Sequence, residues 1–135
     1  MTTNITSFCY PAIRVALTEC AEEVETMRRA FAKRAELIYD RLSRIPGAVC
    51  PRPNGAFYVF PDISAHFGKR TSKGRQINSA NDFAEAALEE ALIAVVAGED
   101  FGGRGRNCVR ISFACSEEQI EKGMERLGAL ITSLK

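Results

Sequence analysis

The feature that most constrains the fold is an alternation in residues 107–116, near the end of this chain of 135 residues. Apolar residues occupy every second position from Val109 to Phe113, and successive side chains of a strand point to opposite faces. Ser116 followed by Gln119 has the pattern of a capping box, which marks the N-terminus of a helix. The stretch therefore predicts a half-buried strand that leads directly into a helix.

Arg110 lies in the middle of this strand, and a buried guanidinium without a partner is costly. One explanation is an edge strand whose Arg110 face is solvated. The other is that this face meets an anionic ligand, because the planar guanidinium binds a carboxylate through two hydrogen bonds. The pattern of residues leaves both explanations open.

Composition argues against several classes of function. Lys plus Arg number 18 against 17 for Asp plus Glu, so the net charge of +1 offers no general attraction to nucleic acid or to a membrane surface. No apolar run approaches the length that spans a bilayer. The five cysteines lack paired spacing, so with His66 as the single histidine they predict neither a metal site nor a disulfide framework. A reducing, cytoplasmic compartment is expected.

A long helix is predicted before the first strand. Apolar residues recur every three or four positions from Leu17 to Leu42, which predicts a helix from about Arg14 to a stop at Pro46. Such a helix would be roughly 42–45 Å long, whereas a compact domain of this size has a diameter of roughly 37 Å. We expect either a kink near residues 19–23 or a partner, outside this chain, for the N-terminal half.

The remaining segments are shorter. Residues 1–13 are predicted to be an irregular arm or linker, because Pro11 discourages helix at the residue before it, and residues 14–135 are predicted to be the domain. Extended segments are expected at 48–50, 56–60 and 93–96. A helix from Ser79 to about Leu92 is expected to bury Phe83, Ala87, Leu88 and Ala91, and a closing helix to bury Ile120, Met124, Leu127, Leu130 or Ile131, and Leu134.

This order of elements predicts an α+β fold. It is a small, mostly antiparallel sheet with helices on one face, preceded by the long helix. The other face of the sheet would carry Arg110 and Ser112. A small sheet that is covered on one side only is expected to dock there against something else.

Other motifs do not complete an active site. The glycine-rich segment 98–105 lacks the dinucleotide-binding and P-loop patterns and leads into a strand, so it does not predict a nucleotide site. No cysteine has a local activating partner, and His66 is interpreted as an ordinary loop residue. The basic segment 64–78 is interpreted as a surface loop, because it lacks the interleaved aromatic residues of a nucleic-acid site.

Three blocks nevertheless resemble one family, in the right order and at plausible spacing. Residues 54–61 (NGAFYVFP), 95–102 (VVAGEDFG) and 109–114 (VRISFA) are similar to the C-terminal part of the class I and II aminotransferases. These are the fold-type I pyridoxal phosphate enzymes of the aspartate aminotransferase group. The resemblance extends over the whole chain but matches only about the last third of a family member.

The resemblance implies roles for particular residues. Arg110 matches the family arginine that binds the α-carboxylate of the amino-acid substrate, and Gly55 begins the block, residues 55–58, that closes over the substrate. Residues 2–7 resemble a segment shortly after the cofactor lysine, near the dimer interface. The parent protein is thus expected to be a homodimer that uses pyridoxal phosphate to exchange an amino group between an amino acid and a 2-oxo acid.

The departure from the family concerns the cofactor. None of the five lysines (Lys33, Lys69, Lys73, Lys122 and Lys135) has the sequence context of the Schiff-base lysine, and the pyridine-binding aspartate and the phosphate-binding residues are unmatched. No catalytic, cofactor-binding or metal residue is therefore expected here, and the isolated chain is expected to be inactive without the large domain. Two alternatives remain: a freestanding, non-catalytic α/β interaction module, and a small carboxylate-binding domain that uses Arg110 alone.

Overall fold

The computed structural model describes residues 4–135, so the first three residues of the predicted arm lie outside the description. The elements follow in the order α1 (Tyr10–Thr18), α2 (Ala21–Ser43), β1 (Tyr58–Val59), α3 (Ala80–Ala91), β2 (Val96–Ala97), β3 (Val109–Ser112) and α4 (Glu117–Ser133). Short 3₁₀ turns occupy Ser7–Cys9, Ser64–His66, Gly98–Phe101 and Gly103–Gly105. Over the described range, the helices are too short or too polar to cross a membrane.

The sheet has three strands in the order β1-β3-β2, and both pairings are antiparallel. Val59 lies opposite Ile111, and Ala97 lies opposite Val109. The explanation of Arg110 by an edge strand is therefore wrong, because β3 is the central strand and is paired on both sides. The predicted α+β architecture is confirmed.

The core lies between one face of the sheet and the helices. Val109, Ile111 and Phe113 point into it, as the alternation predicted. They pack with the second half of α2, with α3 and with α4. The predicted apolar face of α4 is buried along its length, at Ile120, Met124, Leu127, Leu130, Ile131 and Leu134.

The predicted caps hold two of these helices in place. The backbone N–H of Asp82 donates to the Ser79 hydroxyl (3.1 Å) at the start of α3, and that of Gln119 donates to the Ser116 hydroxyl (3.2 Å) at the start of α4. Each bond satisfies an N–H that has no partner inside its helix. Because only three residues separate β3 from the Ser116 cap, the chain turns within a short distance from the central strand onto the face that covers it.

The long helix is kinked where the sequence predicted, because α1 ends at Thr18 and α2 begins at Ala21. The prediction that residues before Arg14 are irregular was wrong, since α1 already begins at Tyr10. Pro11 lies in its first turn, where a missing N–H breaks no helical hydrogen bond. The boundary between arm and domain at residues 13 and 14 stays a prediction.

The strands β1 and β2 are shorter than predicted. In addition, Leu88 of α3 is exposed where a buried side chain was expected. Extended pairing covers two residues in each of β1 and β2 instead of five and four. α3 ends in a left-handed residue, Leu92, and the chain after it becomes a strand only at Val96. Leu88 is exposed, because the buried stripe of α3 runs through Ala80, Phe83 and Ala87, and Leu88 lies about 100° around the helix from Ala87.

His66 is a core residue, which corrects its interpretation as an ordinary loop residue. It is 2% exposed, its ring stacks on Phe83 at 6.4 Å, and neither ring nitrogen has a hydrogen-bond partner within residues 4–135. Gly47, in a left-handed conformation, packs so closely on this ring that a side chain there would overlap it. Burial lowers the pKa of His66, and the positive charge of Lys69 lowers it further.

The burial of His66 predicts that the fold weakens in mild acid. Its folded pKa lies below the unfolded value of 6.5, so the unfolded chain binds the proton more tightly and stability falls once the pH drops below about 6.5. His66→Leu removes this proton and should flatten the pH dependence, whatever it does to stability at neutral pH. Urea unfolding of the wild type and of His66→Leu between about pH 7.5 and 5.5 measures how the free energy of unfolding depends on pH. The same dependence in both proteins would contradict the lowered pKa of His66.

Candidate carboxylate-binding site

The outer face of the sheet is built by the same alternation that builds the core. Arg110 and Ser112 of β3 point away from the helices, as predicted. Their cross-strand partners share this face, because Arg110 lies opposite Val96 and Ser112 lies opposite Tyr58. The helices of the described region pack on the other face, so this one stays open.

The Arg110 guanidinium lies between two aromatic rings. Its Cζ is 4.6 Å from the ring centroid of Phe101 and 5.5 Å from that of Tyr58. Both distances are within the range in which an aromatic ring face attracts a cation. Within residues 4–135 the guanidinium makes no side-chain hydrogen bond and no ion pair. Its donors are thus available to a ligand, while its position is supported by the rings.

Phe101 reaches Arg110 because of the glycine-rich segment. Gly98 and Gly105 approach so closely that a Cβ on either one would overlap the backbone of the other. The N–H of Gly98 donates to the carbonyl oxygen of Cys108 (2.8 Å), which ties the turn to the start of β3. Phe60 packs edge-on against Phe101 at 5.8 Å. In this fold the segment therefore serves to place an aromatic side chain.

The block that contains Gly55 is attached to the end of β3. The carbonyl oxygen of Phe57 accepts hydrogen bonds from the N–H of Phe113 (2.8 Å) and the hydroxyl of Ser112 (3.4 Å). Gly55 itself is exposed, with open space where a side chain would be, and it is followed by Ala56 at φ 58°. A residue other than glycine rarely has a positive φ, and this backbone conformation is strained.

Gly55 and Arg110 do not line one cavity. Gly55 lines a groove of about 310 Å³ between its own loop and α2, beside Phe31 and Glu36. Arg110 faces outward next to Tyr58. Phe57 ties the Gly55 loop to Ser112 and Phe113 at the end of β3, but the structure does not assemble Gly55 and Arg110 around a common space.

The two aromatic neighbours of Arg110 were not predicted from the sequence. The register of β1 against β3 would have identified Tyr58, but it depends on knowing that these strands pair. Phe101 is 51% exposed and stands between acidic residues and glycines, so nothing in its sequence context points to Arg110.

The other reactive side chains of the described region, its lysines and cysteines, do not form a second site. Lys33 forms an ion pair with Glu117 at 2.8 Å, and Lys73, Lys122 and Lys135 are exposed. No group of metal-binding side chains comes together within residues 4–135. All five cysteines are free thiols, and burial raises the pKa of the thiols at positions 50 and 108, which makes them less nucleophilic. Within residues 4–135, Arg110 is left with two aromatic neighbours and no charged partner.

Comparison with known proteins gives one consistent result. The family model for aminotransferase class I and II matches residues 1–127. The chain is 38% identical over 133 residues to an aspartate/prephenate aminotransferase of Cereibacter sphaeroides, covering 98% of this chain and 33% of that protein. It is 40% identical over 129 residues to an aspartate aminotransferase of Geobacillus stearothermophilus, covering 93% and 30% respectively.

A solved structure agrees with these relatives. The crystal structure of an aspartate aminotransferase from Rhizobium meliloti matches with a TM-score of 0.84 and 35% identity, over 90% of this chain and 30% of that one. The chain thus spans about a third of the length of the proteins it matches. The family model, the relatives and the shared fold lead to the same conclusion. The chain belongs to the class I and II aminotransferase family.

Proposed function

We propose that this chain is the C-terminal small-domain portion of a pyridoxal-phosphate-dependent aminotransferase, whose complete form exchanges an amino group between an amino acid and a 2-oxo acid. The relatives named aspartate and aspartate/prephenate aminotransferases support this reaction class. The observation that carries the proposal is Arg110, an arginine without an ionic partner within residues 4–135, on the outer face of the central strand. Its role is to bind the substrate α-carboxylate.

The chemistry of Arg110 suits this role. A guanidinium offers two parallel N–H donors to the two oxygens of a carboxylate, which fixes the orientation of the ligand as well as its charge. Because β3 is held by strands on both sides and by the core beneath it, the arginine backbone is rigid. A ligand bound there would be held in one orientation relative to the rest of the active site, as an oriented reaction requires.

Gly55 is proposed to let its loop close over the substrate. The space around Gly55 is open on the side where other residues carry a side chain, so a ligand or another domain can approach the backbone. The strained backbone of Ala56 supports a special role for this turn. Phe57 transmits the position of the loop to β3 through its carbonyl oxygen.

The cofactor does not fit the residues of this chain. When bound, pyridoxal phosphate supplies the electron sink for amino-group transfer, and it requires a lysine in a protected site. Lys33 is paired with Glu117, and the remaining lysines lie on the surface or in a surface turn. We therefore assign no cofactor contact and no catalytic step to this chain, and we place both in the large domain of the parent.

The isolated chain should consequently not form a specific imine with pyridoxal phosphate or transfer an amino group. An absorbance titration with the cofactor measures this, with peptide mapping after borohydride reduction to identify any modified lysine. Weak labelling spread over several lysines is the expected result. One equivalent of cofactor on a single lysine, together with turnover, would contradict it.

The proposed partners are the missing large domain and a second copy of the parent in a homodimer. Leu17 is 82% exposed and Val24 is 52% exposed, on either side of the kink between α1 and α2. Phe8 and Tyr10 are also exposed on this N-terminal segment. Several large apolar side chains exposed on one segment are typical of a protein contact surface. The five free thiols support a reducing, cytoplasmic location for the whole assembly.

This surface should make the isolated chain self-associate. The double variant Leu17→Glu, Val24→Glu adds charge to it and should shift sedimentation equilibrium toward the monomer. Leu88→Glu is the matched control, because Leu88 is an exposed leucine on α3, outside this segment. A wild-type chain that stays monomeric at high concentration would contradict the partner proposal.

The freestanding interaction module is the second candidate, and the same open surfaces favour it. The two candidates differ in what the natural polypeptide contains. A Schiff-base lysine segment in the same polypeptide, before residue 1, would support the aminotransferase. A module would instead bind a protein partner through the Arg110 face without any response to amino acids.

Replacing Arg110 in the full-length parent should weaken amino-acid binding while leaving cofactor binding unchanged. Loss of a charge-assisted pair of hydrogen bonds costs roughly 1.5–3 kcal/mol, which is about a 10- to 140-fold rise in Kd for Arg110→Ala. Arg110→Lys keeps the positive charge but loses the planar guanidinium. Its Kd for amino acid should therefore lie between those of the wild type and Arg110→Ala. Spectroscopic titration with amino acid measures binding, and the cofactor absorbance reports cofactor occupancy.

Arg104→Ala is the control, because Arg104 is an exposed arginine on the neighbouring glycine-rich segment. It should leave the Kd for amino acid nearly unchanged. If Arg110 instead serves only to hold the fold together, Arg110→Ala would lower the melting temperature and leave substrate affinity per folded molecule intact. That outcome would contradict the carboxylate assignment.

A further inference from the structure

The two rings beside Arg110 are not explained by burial. Tyr58 is 40% exposed and Phe101 is 51% exposed, so both rings leave much of their surface in water. Phe101 also lies outside the regular strands, at the end of the 3₁₀ turn Gly98–Phe101. A side chain that contributed only hydrophobic burial would be placed inward, where Val109 and Ile111 already fill the core.

The backbone around Phe101 is built tightly for so exposed a residue. The close approach of Gly98 and Gly105 fixes the turn, and Gly102, directly after Phe101, has φ 107°, a conformation that favours glycine. Phe60, on the strand side, packs edge-on against the Phe101 ring. The glycine-rich segment thus holds the exposed Phe101 ring over the Arg110 guanidinium and leaves the ring little freedom to move away.

We propose that Phe101 and Tyr58 are positioning residues for Arg110. Together they form a clamp that attracts the guanidinium to one place on the outer face of the sheet while its N–H donors stay free for the ligand. The two rings hold the arginine without a protein carboxylate, which would neutralise its charge and compete with the substrate. This inference rests on the proposed role of Arg110 in binding a carboxylate.

Three other arginines show what is particular to Arg110. Arg34 lies over one ring only, that of Phe31 at 5.1 Å, and has no ion pair within residues 4–135. Arg52 lies over Tyr39 at 5.8 Å, but it also forms an ion pair with Glu36 at 2.6 Å. Arg41 pairs with Glu121 at 2.6 Å. Arg110 has two rings and, within residues 4–135, no carboxylate partner. The combination of held position and free donors is what a receptor for an anion requires.

The clamp can be tested in the 135-residue chain without any assumption about the parent. Ring currents should shift the NMR signals of the Arg110 side chain, and Phe101→Leu should remove most of that shift while Phe101→Tyr retains it. Tyr39→Leu, which takes the ring from Arg52, is the matched control and should leave Arg110 unchanged. Arg110 signals that are the same in wild type and in Phe101→Leu would overturn the proposal, provided that melting shows both to be folded.

The functional consequence is tested in the full-length parent. Phe101→Leu should raise the KM for amino acid roughly two- to fivefold, with a smaller change in kcat, and Phe101→Tyr should restore the wild-type value. Because the ring acts through the arginine, Phe101→Leu should have no further effect when Arg110 is already alanine. An equal effect of Phe101→Leu in both backgrounds would overturn the positioning role.

The two proposals fail in different ways. If Arg110→Ala leaves the KM unchanged, the role of Arg110 itself fails, although the NMR result for the clamp still stands or falls by itself. If Arg110→Ala raises the KM and Phe101→Leu does not, only the positioning role of the ring fails.

Discussion

The structure depends on the two-faced pairing of β3. Its inward residues, Val109 and Ile111, are buried against three helices, and the same alternation sends Arg110 to the opposite face. Because β3 has strands on both sides, a shift of one residue would expose the core and bury the guanidinium. The packing that stabilises the domain therefore also fixes where Arg110, the candidate ligand-binding cation, lies.

The two faces of the sheet differ in how well the rest of the domain covers them. The covered face is complete, with capped helices and a continuous apolar core. The open face carries Arg110 with two exposed rings, and the N-terminal helix α1 has exposed apolar residues of its own. Both open surfaces agree with a chain that spans about a third of its relatives.

Local sequence patterns predicted those features of the fold that depend on neighbouring residues alone. The alternation in β3, the caps at Ser79 and Ser116 and the kink in the long helix were all predictable from spacing and from the ratio of helix length to domain size. Features that depend on tertiary packing were not. The central position of β3 depends on two strands distant in sequence, and the burial of His66 depends on its contact with Phe83. The contact of Phe101 with Arg110 depends on a turn formed by two glycines seven residues apart.

The most direct measurement is a crystal structure of the complete enzyme with a bound amino-acid analogue. We expect both carboxylate oxygens to lie about 2.7–2.9 Å from guanidinium nitrogens of Arg110, with the rings of Phe101 and Tyr58 still beside it. An Arg110 that pairs instead with a carboxylate of the large domain, while the ligand binds through other groups, would contradict the proposal that this strand carries the substrate receptor.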